Sequence, residues 1–385
     1  MPIINRIAAF HSDMQAWRRD IHRHPELAYQ ERRTGAKVAA LLRAFGVDEV
    51  VEGLGRTGVV GVIRNGQGGS IGLRADMDAL PIHELTEHDH RSDHAGVMHA
   101  CGHDGHTAML LGAARYLSET RNFSGTVVLV FQPAEEGMAG AKAMLEDGLF
   151  ERFPVDAIYG LHNMPGVAAG AITVSPGAVM AAADSFMVAI TGRGGHGAMP
   201  HLAADPVVAA AAIITGLQTL VSRVVDPHQT LVVSVTRVHG GDAFNVIPDS
   251  VELGGTVRYF DAAVGATNRT RMTALIEGIA MAHGVSAVMD YRLGYPPTVN
   301  QADATSFARA IAGAVNGQEP AEQMKVMGSE DFSFFLERRP GAYAWIGNGS
   351  DRPALHNPRY EFNDEILPVG ASYFARLVET ALAAA

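Results

Sequence analysis

The sequence predicts an α/β protein of two domains, an α/β/α sheet domain interrupted by an inserted ferredoxin-like domain, and three observations carry that prediction. Short continuous runs of apolar and β-branched residues, such as Gly125 to Phe131, alternate with helical patterns, as strands buried on both faces of a sheet do. Between Ala183 and Tyr295 the pattern changes to strand, helix, strand, strand, helix, strand, the order of a self-contained split βαββαβ motif. A length of 385 residues exceeds what one ordinary core holds, so the insertion divides the chain into residues 1–182 with 296–385 and residues 183–295.

Residues 3 to 22 read as an amphipathic helix, with Ile7, Phe10, Met14, Trp17 and Ile21 on one stripe and a stop at His24-Pro25. His22 and His24 have no carboxylate or cysteine at ligand spacing and read as structural or surface groups. A second helix, Thr34 to Phe45, ends at Gly46. Strands follow at Gly58 to Arg64 and Ser70 to Arg74. The second runs into Asp76-Met77-Asp78, which sets two carboxylates on one face. The loop His83 to His94 has no regular spacing and reads as a solvated flap. Met98 to Thr107 then gathers the only cysteine, three histidines and an aspartate ahead of an apolar helix, Thr107 to Ser118. The strand Gly125 to Phe131 ends in Gln132-Pro133-Ala134-Glu135-Glu136-Gly137. A helix, Gly140 to Asp147, leads to a buried strand, Ala157 to Gly160, that ends in Leu161-His162-Asn163.

The insertion has strands at Ser185 to Thr191, Thr230 to His239, Ser250 to Tyr259 and Ser286 to Leu293, with helices at Pro206 to Val225 and Val264 to His283. Gly192-Arg-Gly194-Gly-His-Gly197 fits a dinucleotide fingerprint. Residues 206 to 225 contain neither Asp nor Glu to hold a ribose, so the nucleotide reading is discarded. A helix from Asp303 to Val315, a strand from Gly341 to Ile346, a polar loop with His356 and a helix from Pro368 to Ala384 complete the first domain.

Arg and Lys total 30 against 41 Asp and Glu, a formal net charge of −11 without a basic run, which argues against a nucleic-acid partner. The N-terminus has no basic segment leading into an apolar core, and no stretch approaches the ~20 apolar residues of a membrane span. One cysteine makes no internal disulfide. The expectation is a soluble, cytoplasmic protein with no membrane partner.

Three hydrophobic strands each end in metal-capable or acid/base side chains, and in open α/β sheets the ligand crevice lies at the carboxyl ends of the strands. Cys101 and His103, separated by one glycine, can aim a sulfur and an imidazole nitrogen at one point, and a helix N-terminus beside them would lower the thiol pKa. Collecting the strand-end groups gives Cys101, His103, Glu136, His162 and His356 as ligands, enough for two divalent ions if one group bridges. Two metals a few ångströms apart can hold a hydroxide between them and polarise a carbonyl. A free carboxylate is then needed to take the proton of the water and pass it to a departing amine. Adjacent Glu135 and Glu136 suit that division, since neighbours in extended chain point opposite ways. Asp78 and Asp104 are candidates for orienting ligand histidines.

The segments Arg74-Ala-Asp-Met-Asp-Ala-Leu-Pro81, Met98-His-Ala-Cys-Gly-His-Asp104, Phe131-Gln-Pro-Ala-Glu-Glu-Gly137, Gly194-Gly-His-Gly197, Phe244-Asn-Val-Ile-Pro248 and Leu355-His-Asn357 carry a resemblance that covers essentially the whole chain. They resemble the aminoacylase/carboxypeptidase family of dinuclear metallohydrolases, in the branch of hippurate hydrolases, bacterial N-acyl-amino-acid amidohydrolases and plant auxin-conjugate hydrolases. The resemblance implies a Cys101 thiolate that bridges or binds metal, His103, Glu136, His162 and His356 as the other ligands, and Glu135 as general base. It implies that the inserted domain is a lid and dimerisation domain, with a homodimer expected and a tetramer as its alternative. It further implies that His196 stabilises the tetrahedral intermediate, in its own or the partner subunit's site, and that Asn245 and Arg258 contact the oxyanion or the substrate's carboxylate. For Arg258 an exposed salt bridge at a strand end weighs equally. Other branches carry a histidine where Asp76 stands, which leaves the role of Asp76 open.

The implied reaction is hydrolysis of an N-acyl amino acid to a carboxylic acid and a free amino acid, with two divalent ions per subunit. Zinc or manganese is expected, and cobalt or nickel remains open. The alternatives are a metallo-exopeptidase or dipeptidase, an N-acyl-diaminopimelate deacylase, and a metal-storing or regulatory binder in which Glu135 would have no task.

Overall fold

The β-branched run at Gly125–Gln132 lies inside a seven-stranded sheet, where Val127 to Gln132 are all buried, so both faces of the strand are covered. The computed structural model describes residues 3–383; Met1, Pro2, Ala384 and Ala385, the outermost residues of the expected first domain and last helix, lie outside the described residues. The strand order is Glu49–Leu54, Gly58–Asn65, Gly125–Gln132, Ser70–Asp76, Ala157–Pro165, Gly341–Gly349, Ile172–Thr173. The four strands from Gly125–Gln132 to Gly341–Gly349 are parallel, and the outer ones pair antiparallel. Parallel alignment brings Asp76, Gln132 and the end of Ala157–Pro165 to one edge of the sheet. This is the edge at which an α/β sheet holds its ligands.

Several boundaries differ from the sequence reading for local reasons. The first expected helix is two, Asn5–Ala8 and His11–Arg23; between them Phe10 turns into the core beneath the guanidinium groups of Arg6 and Arg115, 4.5 and 4.0 Å from its ring. The edge strand Glu49–Leu54 lies outside the sequence reading, because Glu49 and the exposed Glu52 break the apolar pattern as edge strands do. The strand after Ala157 runs to Pro165, since Gly341–Gly349 pairs along it from Ile158 to Pro165 while Ser70–Asp76 stops at Gly160. His162 therefore belongs to the strand rather than to the loop after it. The cysteine-bearing segment enters its helix at His103, not Thr107, with Gly102 (φ 91) as the residue before the first turn.

The chain divides into two compact units. One comprises Ala178–Thr298 and Lys325–Glu330; the latter segment was expected in the other domain. Its four-stranded sheet has the order Leu231–His239, Ser250–Tyr259, Ala183–Thr191, Ser286–Tyr295, all antiparallel, with helices Pro206–Thr219 and Ala262–Ala282. That is the ferredoxin-like arrangement of a βαββαβ chain. Phe186, Val188, Ile190, Leu253, Ile213, Leu217 and Ile276 fill its own core.

One expectation is corrected here. Pro206–Val224, an α-helix closed by a π-turn at Leu220–Val224, is long and apolar enough to cross a membrane, with a mean hydropathy of 1.7. Only 28% of this stretch is buried. It turns Ala209, Ala210, Ile213 and Leu217 inward and leaves Val207, Val208, Val221 and Val224 exposed.

Candidate metal centre

The ligand candidates come from strand ends and loops that the sheet brings together within the larger unit. Cys101 precedes Gly102 and the helix His103–Thr120, and His162 stands in the strand Ala157–Pro165 with its Nε2 3.4 Å from the cysteine sulfur. Glu136 follows the strand Gly125–Gln132, and its Oε1 lies 3.2 Å from His356 Nε2 and 4.0 Å from His103 Nε2. His356 has a left-handed backbone (φ 63), and its N–H donates to Ala100 O at 2.8 Å, which ties its loop to the cysteine segment. Cys101, His103 and His162 have ligand atoms within 4.8 Å of one another, and so do Cys101, Glu136 and His356. Cys101 is the member common to both groups.

Hydrogen bonds fix which ring nitrogens are free. Carbonyl oxygens only accept, so His103 donates from Nδ1 to Asp78 O at 2.9 Å and His162 donates from Nδ1 to Asn163 O at 2.6 Å. Each ring then turns its Nε2 toward the cluster, His162 toward the Cys101 sulfur and His103 toward Glu136, the nitrogen that a metal would take. His103 Nε2 is fully buried and has no hydrogen-bond partner among the described residues. An orphaned imidazole nitrogen facing thiol and carboxylate is a donor set that fits a divalent transition-metal ion.

Burial and neighbouring charge set the protonation of the cluster. Burial, then the Glu136 carboxylate, pushes the Cys101 thiol up, which corrects the expectation of a thiol lowered by the helix N-terminus. Burial and His106 hold His162 well below the usual histidine range, so it stays neutral. Hydrogen bonds to Cys101 and Glu136 raise His356 to about 10. Against its burial, Asp76 and Cys101 likewise raise His103 well above the usual histidine range, so the protons on thiol and imidazole are what a metal ion would displace.

Glu135 and Glu136 were expected in extended chain. They stand instead in a short turn, Glu135–Met138, entered through a left-handed Ala134 and broken by non-helical backbone at Glu136 (φ −71, ψ 78). Glu135 is 6% exposed and accepts the Asp331 N–H at 3.4 Å; the Glu136 N–H donates to Asp78 Oδ2 at 2.9 Å. Asp78 thus holds both a histidine and the glutamate turn. The Asp104 side chain makes no hydrogen bond or ion pair with the five ligand candidates among the described residues: its Oδ2 accepts His22 Nδ1 at 2.9 Å and lies 3.6 Å from Arg18 Nη1. It anchors one helix on another, and His22 is buried with it.

Comparison with known proteins places this arrangement. Residues 72–380 match the model of peptidase family M20/M25/M40. The chain belongs to that family. A hippurate hydrolase of Campylobacter jejuni is 44% identical over 380 residues, 98% of each chain. An N-acetylcysteine deacetylase of Bacillus subtilis is 40% identical over 372 residues, 96% of this chain and 97% of the other. The crystal structure of a dinuclear metal-binding M20 peptidase from Bacillus subtilis has a TM-score of 0.86 at 37% identity, covering 97% of this chain and 99% of that one.

Within this M20 site the sequence reading missed His106, Asn163 and Tyr360. His106 lies one turn after His103, a spacing that places both rings on one helix face. Its Nε2 accepts the Asn163 N–H at 2.9 Å and its Nδ1 donates to Asp76 Oδ1 at 2.6 Å, so both nitrogens are committed and His106 is not free to ligate. Asp76 also takes Arg74 Nη1 at 2.8 Å and stands 3.7 Å from His103 Nε2. Asn163 donates to Cys101 O at 2.6 Å and accepts the Tyr360 hydroxyl at 2.6 Å, holding the cysteine's backbone in place.

In the smaller unit, His196 and Val246 pair across a two-residue ribbon, and Gly197 N–H donates to Asn245 O at 2.8 Å, so His196 and Asn245 are neighbours, both exposed. Arg258, half-buried on Ser250–Tyr259, donates to Val257 O at 3.2 Å and to the Thr256 hydroxyl, and forms no ion pair among the described residues. Burial lowers its pKa.

Proposed function

We propose that this protein is a metal-dependent amidohydrolase that cleaves the amide between an acyl group and the α-amine of an amino acid, releasing a carboxylic acid and the free amino acid. The observation that carries the reading is a cluster of thiol, imidazole and carboxylate groups, with the buried Cys101 common to two ligand groups and the buried Glu135 beside it. Cys101, His103 and His162 would hold one divalent ion, and Cys101, Glu136 and His356 a second. When bound, the ions would acidify a water molecule and polarise the amide carbonyl. Glu135 takes the water's proton onto its carboxylate and delivers it to the departing amine. Asp78 and Asn163 orient the ligands by the bonds described above.

The names of the relatives, a hippurate hydrolase and an N-acetylcysteine deacetylase, support the N-acyl amino acid class. Thiolate with imidazole favours zinc, with manganese as the next choice. The resemblance assigns the tetrahedral intermediate to His196, substrate contacts to Asn245 and Arg258, and a homodimer with a tetramer as its alternative; the single cysteine supports a cytoplasmic location.

The test is amino-acid release from a panel of N-acyl amino acids and dipeptides, with benzoylglycine and acetyl-leucine included, before and after chelation and with zinc or manganese restored. Release from N-acyl compounds that vanishes on chelation and returns with metal is the expected result. Cleavage of dipeptides with none of the N-acyl compounds would replace the reading with a peptidase, the activity in the solved relative's description.

A further inference from the structure

The turn that carries Glu135 and Glu136 is strained at both ends. Ala134 (φ 54) and Ala139 (φ 56) have left-handed backbone, a conformation that a β-carbon disfavours and that persists only where surroundings enforce it. The Ala134 N–H donates to Glu31 Oε1 at 2.8 Å. The same oxygen accepts the Tyr29 N–H at 3.0 Å, and Tyr29 is itself left-handed (φ 61). Glu31 Oε2 accepts the Thr57 hydroxyl at 2.6 Å. From this position the Tyr29 hydroxyl donates to Met138 O at 2.9 Å. One carboxylate therefore grips the entry of the turn directly and its far side through Tyr29.

Glu31 is wholly buried, and among the described residues the donors that meet it are backbone amides and the Thr57 hydroxyl rather than a cation. Burial pushes its carboxyl up to about 7. A carboxyl kept in so unfavourable a place needs a task that its geometry supplies. We propose that Glu31 is a positioning residue: its carboxylate fixes the Ala134 turn and so aims Glu135, without touching substrate or metal. The inference rests on the reading of Glu135 as general base.

Two substitutions separate reach from charge. Glu31→Gln keeps a carbonyl oxygen at the same reach for both N–H groups and loses the charge. Glu31→Asp keeps the charge and is one methylene too short. Hydrogen exchange of segment 133–140 in the full-length, metal-loaded protein reads the hold on the turn, and kcat and KM with benzoylglycine read its effect. Glu31→Gln is expected to keep both exchange and kcat within about threefold of the wild type. Glu31→Asp is expected to speed exchange in this segment at least about tenfold and to lower kcat by about as much, with KM within about threefold. Adding Ala134→Gly to Glu31→Asp removes the β-carbon that opposes the turn and restores part of the lost kcat. Should the Asp variant not fold, Tyr29→Phe removes only the hydroxyl at Met138 and gives a smaller rise at the same segment.

Unchanged exchange in Glu31→Asp overturns the proposal, as does a Gln variant as impaired as the Asp one. A rise spread evenly over the whole chain, the mark of general destabilisation, also overturns it. A wild-type enzyme that releases nothing from benzoylglycine or the other N-acyl compounds overturns the reaction assignment instead, and the exchange comparison still decides whether Glu31 holds the turn.

Discussion

Glu135 and Glu136 are neighbours in the chain yet stand in different surroundings, and the difference sorts their chemistry. Glu136 Oε1 lies between His356 and His103, where a metal would draw it in, whereas Glu135 is buried beside the cluster with the Asp331 amide on its carboxylate. Glu135→Gln keeps the volume of the side chain and removes its ability to carry a proton. It is expected to retain the metal content of the wild type and to lose on the order of 10²–10⁴-fold in kcat. Metal analysis beside steady-state kinetics checks this, and near-normal turnover would remove Glu135 from the mechanism. The residue types were legible in the sequence because thiol, imidazole and carboxylate recur where apolar strands end. Their partners were less so. Asp104 reads as a support for a ligand histidine, but it spends its charge on His22, 82 residues away, and no local pattern announces such a pairing.

At the scale of elements, the turn at Gly102 shows how little room the sequence leaves. Gly102 links Cys101 to the helix His103–Thr120 with φ 91, and a β-carbon there would stand 2.3 Å from Asn163 Nδ2 and 2.5 Å from the Tyr360 hydroxyl. Gly102→Ala is expected to cost about 2–4 kcal/mol, from strained backbone and overpacking together, and to lower metal content. Denaturant unfolding beside metal analysis tests it, and a variant as stable and as well loaded as the wild type would contradict the packing described. The same helix is anchored through Asp104 to His22. Burial opposes charge on His22, but Asp104 overrides it and raises the imidazole to about 9 from 6.5. Because the folded value is the higher one, the stabilisation is fully present below pH 6.5 and drains as pH rises through 9. It is worth on the order of 3 kcal/mol. The urea midpoint should therefore fall between pH 6.5 and 9, and less steeply in His22→Gln; parallel curves would mean that His22 is neutral in the folded protein. The strands and helices themselves were legible wherever one periodicity ran unbroken, as at Ser250–Tyr259. They were misread where tertiary contacts decide, as at the Ala9–Phe10 break and the charged edge strand Glu49–Leu54.

At the scale of the whole molecule, the two units have separate hydrophobic cores, and all five ligand candidates belong to the larger one. A metal that binds only the folded form stabilises what it binds by mass action. The unit Ala178–Thr298 with Lys325–Glu330 supplies none of those ligands and should not share the gain. Scanning calorimetry of the full chain is therefore expected to resolve two transitions, of which chelation lowers only one, by several degrees. Restored zinc should return that transition to its place and leave the other where it was. A single transition that moves as a whole would mean that the two cores unfold together. The four-stranded sheet and its two helices would then depend on the metal site as much as the seven-stranded sheet does. Two transitions that both ignore chelation would mean that the cluster around Cys101 holds no ion in the folded protein, and the hydrolytic reading would lose its foundation.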